Sequence, residues 1–241
     1  MQSPIYVAVS GQVALERRME TIARNVANMS TVGYRADEVT FESIFSAAGR
    51  ERVAFASVGE THISRQAGSL DQTGNPLDIA VNGDAFFAIE TGNGPAYTRD
   101  GRLQIDEFGE LRTVAGHLVL DAGLAPIQLD PNGGPPAISR DGMITQNGAQ
   151  MGAIGLFAID SDADLTRFSN SALIPSIPPE PVLDFVDNGV VQGYTESANV
   201  NPMLELTRLI AVSRAFESAS TAVEQNDRTL QDAIRTLGDT R

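Results

Sequence analysis

An apolar seam in the last forty residues restricts the fold of this chain more than any other feature. Leu209, Val212, Phe216, Ala219, Val223, Asn226, Leu230, Ala233 and Leu237 follow one another at alternating spacings of three and four, the register of a coiled coil. Asn201 stands as N-cap, Pro202 as first helical residue and Gly238 as the stop, each with the chemistry that its position favours. At a rise of about 1.5 Å per residue this helix is about 54 Å long, more than the diameter of most small domains. Much of it must therefore project, and its seam needs a partner. Asn226 in the seam either fixes register, as buried polar groups do in some coiled coils, or faces solvent.

The N-terminus carries a matching stripe. Ser3 and Pro4 have the form of a helix start. Ile5, Ala8, Gln12, Leu15, Met19, Ile22, Val26 and Met29 then recur on one helical face. The pattern stops at Ser30-Thr31-Val32-Gly33, where hydroxyls compete for backbone bonds and Gly33 permits a left-handed turn. A lone helix is marginal in water, so the two terminal helices are expected to pair. Leu206, Ile210 and Ala211 widen the apolar surface of the second helix, to a width that suits a bundle with several neighbours. The candidate assembly residues are Leu15, Met19, Ile22 and Val26 on the first helix, and Leu209, Val212, Phe216, Val223 and Leu230 on the second. The alternative is a helical hairpin that closes on itself and caps the rest of the chain.

Between about Ala36 and Ser197 the character changes. Gly and Pro are frequent, apolar runs are short, and Asn-Gly pairs recur at 82–83, 132–133, 147–148 and 188–189. These pairs favour tight turns with positive φ. The first lies between Leu77–Val81 and Ala85–Ile89, which predicts a hairpin there. Further strands are expected at 96–99, 102–105, 111–114, 117–120, 153–159 and 190–194, and the Pro-rich run Ile174–Pro181 is expected to be extended. The expected class is α+β: paired long terminal helices, from residues 1–35 and 198–241, and a central all-β domain over 36–197, sandwich or barrel-like.

Composition removes several functions. With 17 Lys and Arg against 31 Asp and Glu, the net charge of -14 repels nucleic acid and anionic lipid. The absence of Cys removes disulfides, thiolate nucleophiles and Cys-based zinc sites. Glu16, Arg17, Arg18 and Glu20 fall where a secretory signal needs an apolar core, so the N-terminus is expected to be retained. No stretch approaches the roughly 18 consecutive apolar residues of a membrane span, so direct membrane insertion is not expected. His62 and His117 lack metalloprotease or zinc spacing. Asp160, Asp162 and Asp164 alternate like the start of a calcium loop, yet Leu165 stands where the Gly belongs and Ser171 where the bidentate Glu belongs. Gly92-Asn93-Gly94 lacks the third Gly of a dinucleotide fingerprint. No catalytic constellation, metal site or cofactor is expected.

Three segments carry a family resemblance. Arg24-Asn25-Val26-Ala27-Asn28-Met29-Ser30-Thr31-Val32-Gly33-Tyr34-Arg35 is similar to the N-terminal signature of flagellar rod and hook axial proteins, with Asn25, Asn28, Thr31, Gly33 and Tyr34 at the matching places. Glu196-Ser197-Ala198-Asn199-Val200-Asn201-Pro202, followed by Arg214-Ala215-Phe216-Glu217, resembles the C-terminal signature, where Asn199 and Asn201 match. Thr73–Phe87 and Tyr97-Thr98-Arg99-Asp100-Gly101 resemble the β-domain shared by rod, distal rod and hook subunits. The opening Ile5-Tyr6-Val7-Ala8 and the length are closer to proximal rod members than to distal ones.

The resemblance implies a structural subunit, not an enzyme. It implies export through the flagellar type III apparatus without a cleaved signal, and assembly in the periplasmic space with itself and with other proximal and distal rod proteins. The terminal helices would line an inner tube, and the β-domain would form an outer shell that carries torque. The other readings are a distal rod or hook-like axial subunit, and a soluble β-domain that binds a ligand and dimerises through its helices.

Overall fold

A computed structural model of the chain describes residues 3–46 and 53–238, with the side chains of 9–40, 61–225, 228–229, 231–232 and 235–236. Among the described residues the chain is α+β, with two helices and seventeen strands, most of them short, in antiparallel sheets. The helices are α1 (Ser3–Ala27) and α2 (Pro202–Gly238). The first strands are β1 (Asp37–Ser46), β2 (Val53–Ile63), β3 (Leu70–Gln72), β4 (Ile79–Asn82), β5 (Phe86–Thr91), β6 (Gly94–Thr98), β7 (Leu103–Ile105), β8 (Leu111–Thr113) and β9 (Ala137–Ile138). They are followed by β10 (Met143–Gln146), β11 (Ala149–Ala153), β12 (Leu156–Ala158), β13 (Leu165–Arg167), β14 (Ala172–Pro175), β15 (Glu180–Pro181), β16 (Gly189–Gln192) and β17 (Tyr194–Glu196).

The chain divides into two compact units. One gathers Met1–Ala27, Asp37–His62 and Asn201–Arg241, and the other gathers Asn28–Ala36 and Ile63–Val200. These limits differ from the boundaries expected at 35/36 and 197/198, because β1 and β2 fall with the helices and 28–36 falls with the other unit. The attachment of β1 is specific. Asn25, near the end of α1, donates from Nδ2 to the Asp37 carbonyl at 2.9 Å, and the Asp37 N–H donates back to Asn25 Oδ1 at 2.9 Å. In the same unit α1 and α2 touch, the Ser213 hydroxyl lying 3.5 Å from the Met19 sulfur.

In the second unit a six-stranded sheet runs β13-β14-β6-β5-β12-β15, accompanied by the three-stranded sheet β11-β10-β9 and by pairs β16-β4, β17-β3 and β7-β8. The uninterrupted apolar run Ala85–Ile89 follows from burial on both faces of β5. Phe87 packs with Ile79, Leu111, Ile144 and Leu156, whereas Phe86 and Ala88 pack with Tyr97, Phe157 and Leu173.

The hairpin expected at Asn82-Gly83 does not form. β4 pairs with β16, from Asn82↔Gly189 to Ile79↔Gln192, and β5 pairs with β6 and β12. Asn188 explains the substitution: its Oδ1 accepts the N–H groups of Asp84 at 2.8 Å and Ala85 at 3.1 Å, so a distant side chain takes the bonds a hairpin turn would have made. Of the four Asn-Gly pairs only 147–148 has both residues at positive φ, 50° and 80°, and it joins β10 to β11. The strands expected at 96–99, 102–105 and 111–114 correspond to β6, β7 and β8; 118–120 makes isolated bridges only. The expected strand 153–159 is broken after Ala153, and that at 190–194 is split between β16 and β17 at Gly193. The ends of the Pro-rich run are extended, in β14 and β15.

Candidate functional site

The site begins where the sequence leaves α1. The Asn28 side-chain oxygen accepts the Thr31 hydroxyl at 3.2 Å, and the Thr31 N–H donates to the Asn28 carbonyl at 3.0 Å. This turn delivers Gly33 at φ +69°, a conformation in which an L side chain is strained. A Cβ on Gly33 would stand 2.4 Å from the Asp100 nitrogen and 2.5 Å from the Arg99 carbonyl carbon. The close approach lets the Gly33 N–H reach the Glu196 carbonyl at 2.7 Å. Tyr34 is buried next to it, with the Arg167 guanidinium 4.5 Å from its ring centroid, a cation–π arrangement.

Asn199 closes the same place from the other end of the chain. Its Oδ1 accepts the Ala36 N–H at 2.7 Å, its Nδ2 donates to the Gln66 carbonyl at 2.8 Å, and its own N–H donates to the Tyr34 carbonyl at 3.3 Å. The structure therefore brings Gly33, Tyr34 and Asn199 together, while Asn25 serves the start of β1. Asn201 belongs to α2: its Oδ1 accepts the Leu204 N–H at 3.2 Å and its carbonyl accepts the Glu205 N–H at 3.0 Å. Asn201→Ala is expected to lower stability by about 1 kcal/mol, read as a loss of helical circular dichroism at intermediate urea; Asn201→Ser should restore it.

Around Glu196 the structure adds a group that reading the sequence did not single out. Arg35 Nη2 lies 2.9 Å from Glu196 Oε1, and Arg99 Nη1 lies 3.0 Å from Glu196 Oε2. The side chains of Arg35, Arg99 and Glu196 are 1%, 2% and 1% exposed. The Gly68 N–H adds a bond to Glu196 Oε1 at 3.0 Å, Arg99 Nη2 donates to the Gly83 carbonyl at 2.8 Å, and Arg35 Nη1 donates to the Gln66 carbonyl. The Arg99 guanidinium also lies 4.7 Å from the Phe86 ring centroid. Burial lowers the Arg99 basicity to about 10; Glu196 opposes the shift and Arg35 adds to it. Arg35 is lowered for the same first reason, with Glu196 again opposing. Arginine keeps its charge in proteins, so among the described residues Glu196 is the one carboxylate in ion-pair contact with two buried cations, and Asp84 adds a weaker favourable field at both. The available signal was position: all three residues lie within the segments that carry the family resemblance.

The candidate assembly residues occupy the helices. Ile22 and Val212 are buried, whereas Leu15, Met19, Val26, Leu209, Phe216 and Val223 are half-buried. The side chain of Leu230, with those of Ile5, Ala8, Asn226, Ala233 and Leu237, lies outside the described residues. Met203, Leu204, Leu206 and Ile210 of α2, and Val9 and Val13 of α1, are exposed.

Three family models match the chain: Flagella basal body rod protein over residues 5–35, Flagellar hook protein FlgE/F/G D1 domain over 80–146, and Flagellar basal body rod FlgEFG protein C-terminal over 191–236. Together they define the class of flagellar rod and hook axial proteins. The chain is 52% identical to the flagellar basal-body rod protein FlgF of Mesorhizobium japonicum over 238 residues, 99% of each chain. It is 45% identical to FlgF of Rhizobium meliloti over 241 residues, 100% of each, and 33% identical to FlgF of Caulobacter vibrioides over 99% of each. The chain belongs to the FlgF family of flagellar basal-body rod proteins, a structural family and not one of enzymes.

Proposed function

We propose that this chain is a structural subunit of the bacterial flagellar basal-body rod, and that it polymerises through α1 and α2 into the proximal rod. The observation that carries the assembly reading is the exposed apolar edge of α2, Met203, Leu204, Leu206 and Ile210, beside a half-buried seam in the same unit. Such an edge is larger than a single helix partner covers. In this reading the helices pair as a coiled coil that forms the inner part of the rod and continues the export channel, and the β-rich part forms the outer shell that transmits torque. Leu15, Met19, Ile22 and Val26 on α1, with Leu209, Val212, Phe216, Val223 and Leu230 on α2, are the helix-packing residues. The partners are further copies and the other proximal and distal rod subunits. The route is the flagellar type III export apparatus, without a cleaved signal, to the periplasmic space. Full-length similarity to FlgF proteins supports the rod assignment.

Sedimentation velocity with far-ultraviolet circular dichroism over a range of concentrations tests the proposal. The full chain should associate as concentration rises, with a parallel gain in helix signal as seams become buried. Ile210→Glu should abolish association while leaving the dilute monomer's spectrum unchanged. A strongly helical monomer at every concentration, indifferent to Ile210→Glu, would refute assembly through these helices.

A further inference from the structure

The second unit contains two kinds of pairing that differ in reach. β5–β6 closes at Thr91↔Gly94, β7–β8 at Ile105↔Leu111 and β10–β11 at Gln146↔Ala149, each a local hairpin. Residues 189–200 behave differently. β16 pairs with β4, and β17 pairs with β3 from Tyr194↔Gln72 to Glu196↔Leu70. The Ser197 N–H donates to the Ser69 carbonyl at 2.9 Å, and the Gly193 N–H donates to the Asp78 carbonyl at 2.7 Å. Glu196 then receives Gly68 across 128 residues, and Asn199 joins Gln66 across 133 and Ala36 across 163. The last part of this unit to be synthesised thus binds mainly the first part.

The chemistry at the closure makes it conditional. Without Glu196, Arg35 and Arg99 have no carboxylate within ion-pair distance among the described residues, and burying them would leave their charge offset only by the more distant Asp84. Without Asn199, the Ala36 N–H loses the acceptor described above and the Gln66 carbonyl keeps only the Arg35 donor. The segment 33–36 therefore completes its buried polar contacts only when 196–199 is already there. Loop closure over such separations is slow relative to hairpin formation, because its entropy must be lost before any contact compensates.

We propose that residues 189–200 are a folding strap: the local hairpins form first, and the strap closes on 33–36 and 66–82 as the last step, cooperatively, through Glu196 and Asn199. A chain that emerges N-terminus first, from a ribosome or from an export channel, then cannot complete this unit until residue 200 is out. The folding order goes beyond the rod proposal and does not depend on it.

Pulse-labelling hydrogen exchange during refolding of the full chain from urea, read by mass spectrometry of peptides, tests the order. Peptides covering β5–β6 and β10–β11 should gain protection at least about tenfold sooner than those covering 28–36, 66–74 and 189–200, and these last three should gain it together. The strap is refuted if the three become protected with or before the hairpins, or at different times from one another. Sedimentation of the same preparation decides the rod proposal separately, since folding order and association are read by different signals.

Discussion

Glu196→Gln is expected to lower the stability of the chain by about 3–5 kcal/mol, the cost of leaving buried charge uncompensated. The substitution keeps the shape of the side chain and one oxygen acceptor. It removes the negative charge that faces Arg35 at 2.9 Å and Arg99 at 3.0 Å, and it can point an amide N–H₂ at a guanidinium. Neither arginine has water to turn to, since both are almost completely buried. In urea the unfolding midpoint should fall by roughly 1–2 M for a chain of this size. A midpoint within roughly 0.2 M of the parent would mean that the cluster is compensated elsewhere. Glu196→Asp should lie between the two, because it keeps the charge and shortens the reach.

The second large effect is expected from Gly33→Val, at about 3 kcal/mol or more. Two costs add. The backbone sits at φ +69°, which a β-branched residue adopts only under strain of about 1–3 kcal/mol. The new Cβ would also meet backbone rather than a side-chain tip, 2.4 Å from the Asp100 nitrogen, so relief requires the chain itself to move. That movement would pull the Gly33 N–H away from the Glu196 carbonyl. Gly33→Ala should show a smaller loss in the same urea titration, as it shares the clash but not the branched side chain. A Val variant as stable as the parent would show that the turn adapts.

These two positions illustrate what the sequence made legible. Gly33 could be read because the demand on it is local: a helix stripe ends at Met29 and a turn must follow within a few residues. The ends of α2 at Asn201-Pro202 and Gly238 were readable for the same reason, since caps and helical periodicity act within one or two turns. The Asn82-Gly83 pair was misleading, because its local chemistry favours a hairpin while Asn188, a hundred residues away, supplies the bonds that decide the outcome. The β1–β2 pair was not anticipated either. Val39, Phe41 and Phe45 share one parity with Ser43 among them, and no Asn-Gly pair separates the two strands. Arg35, Arg99 and Glu196 each look like ordinary surface charges in isolation. Their burial arises only when three distant segments meet, which neither period nor spacing records.

The turn at Asn147-Gly148 offers a place to work on this protein. Both residues are exposed, and among the described residues nothing beyond its chain neighbours lies within 4 Å of where a Gly148 Cβ would be. The strands on either side, β10 and β11, are held by their own ladder and by β9. A short epitope or fluorophore-binding peptide inserted between these two residues would extend into open space, as exposed hairpin tips allow. It would leave both chain termini untouched, where a fused tag would burden the helices proposed to assemble.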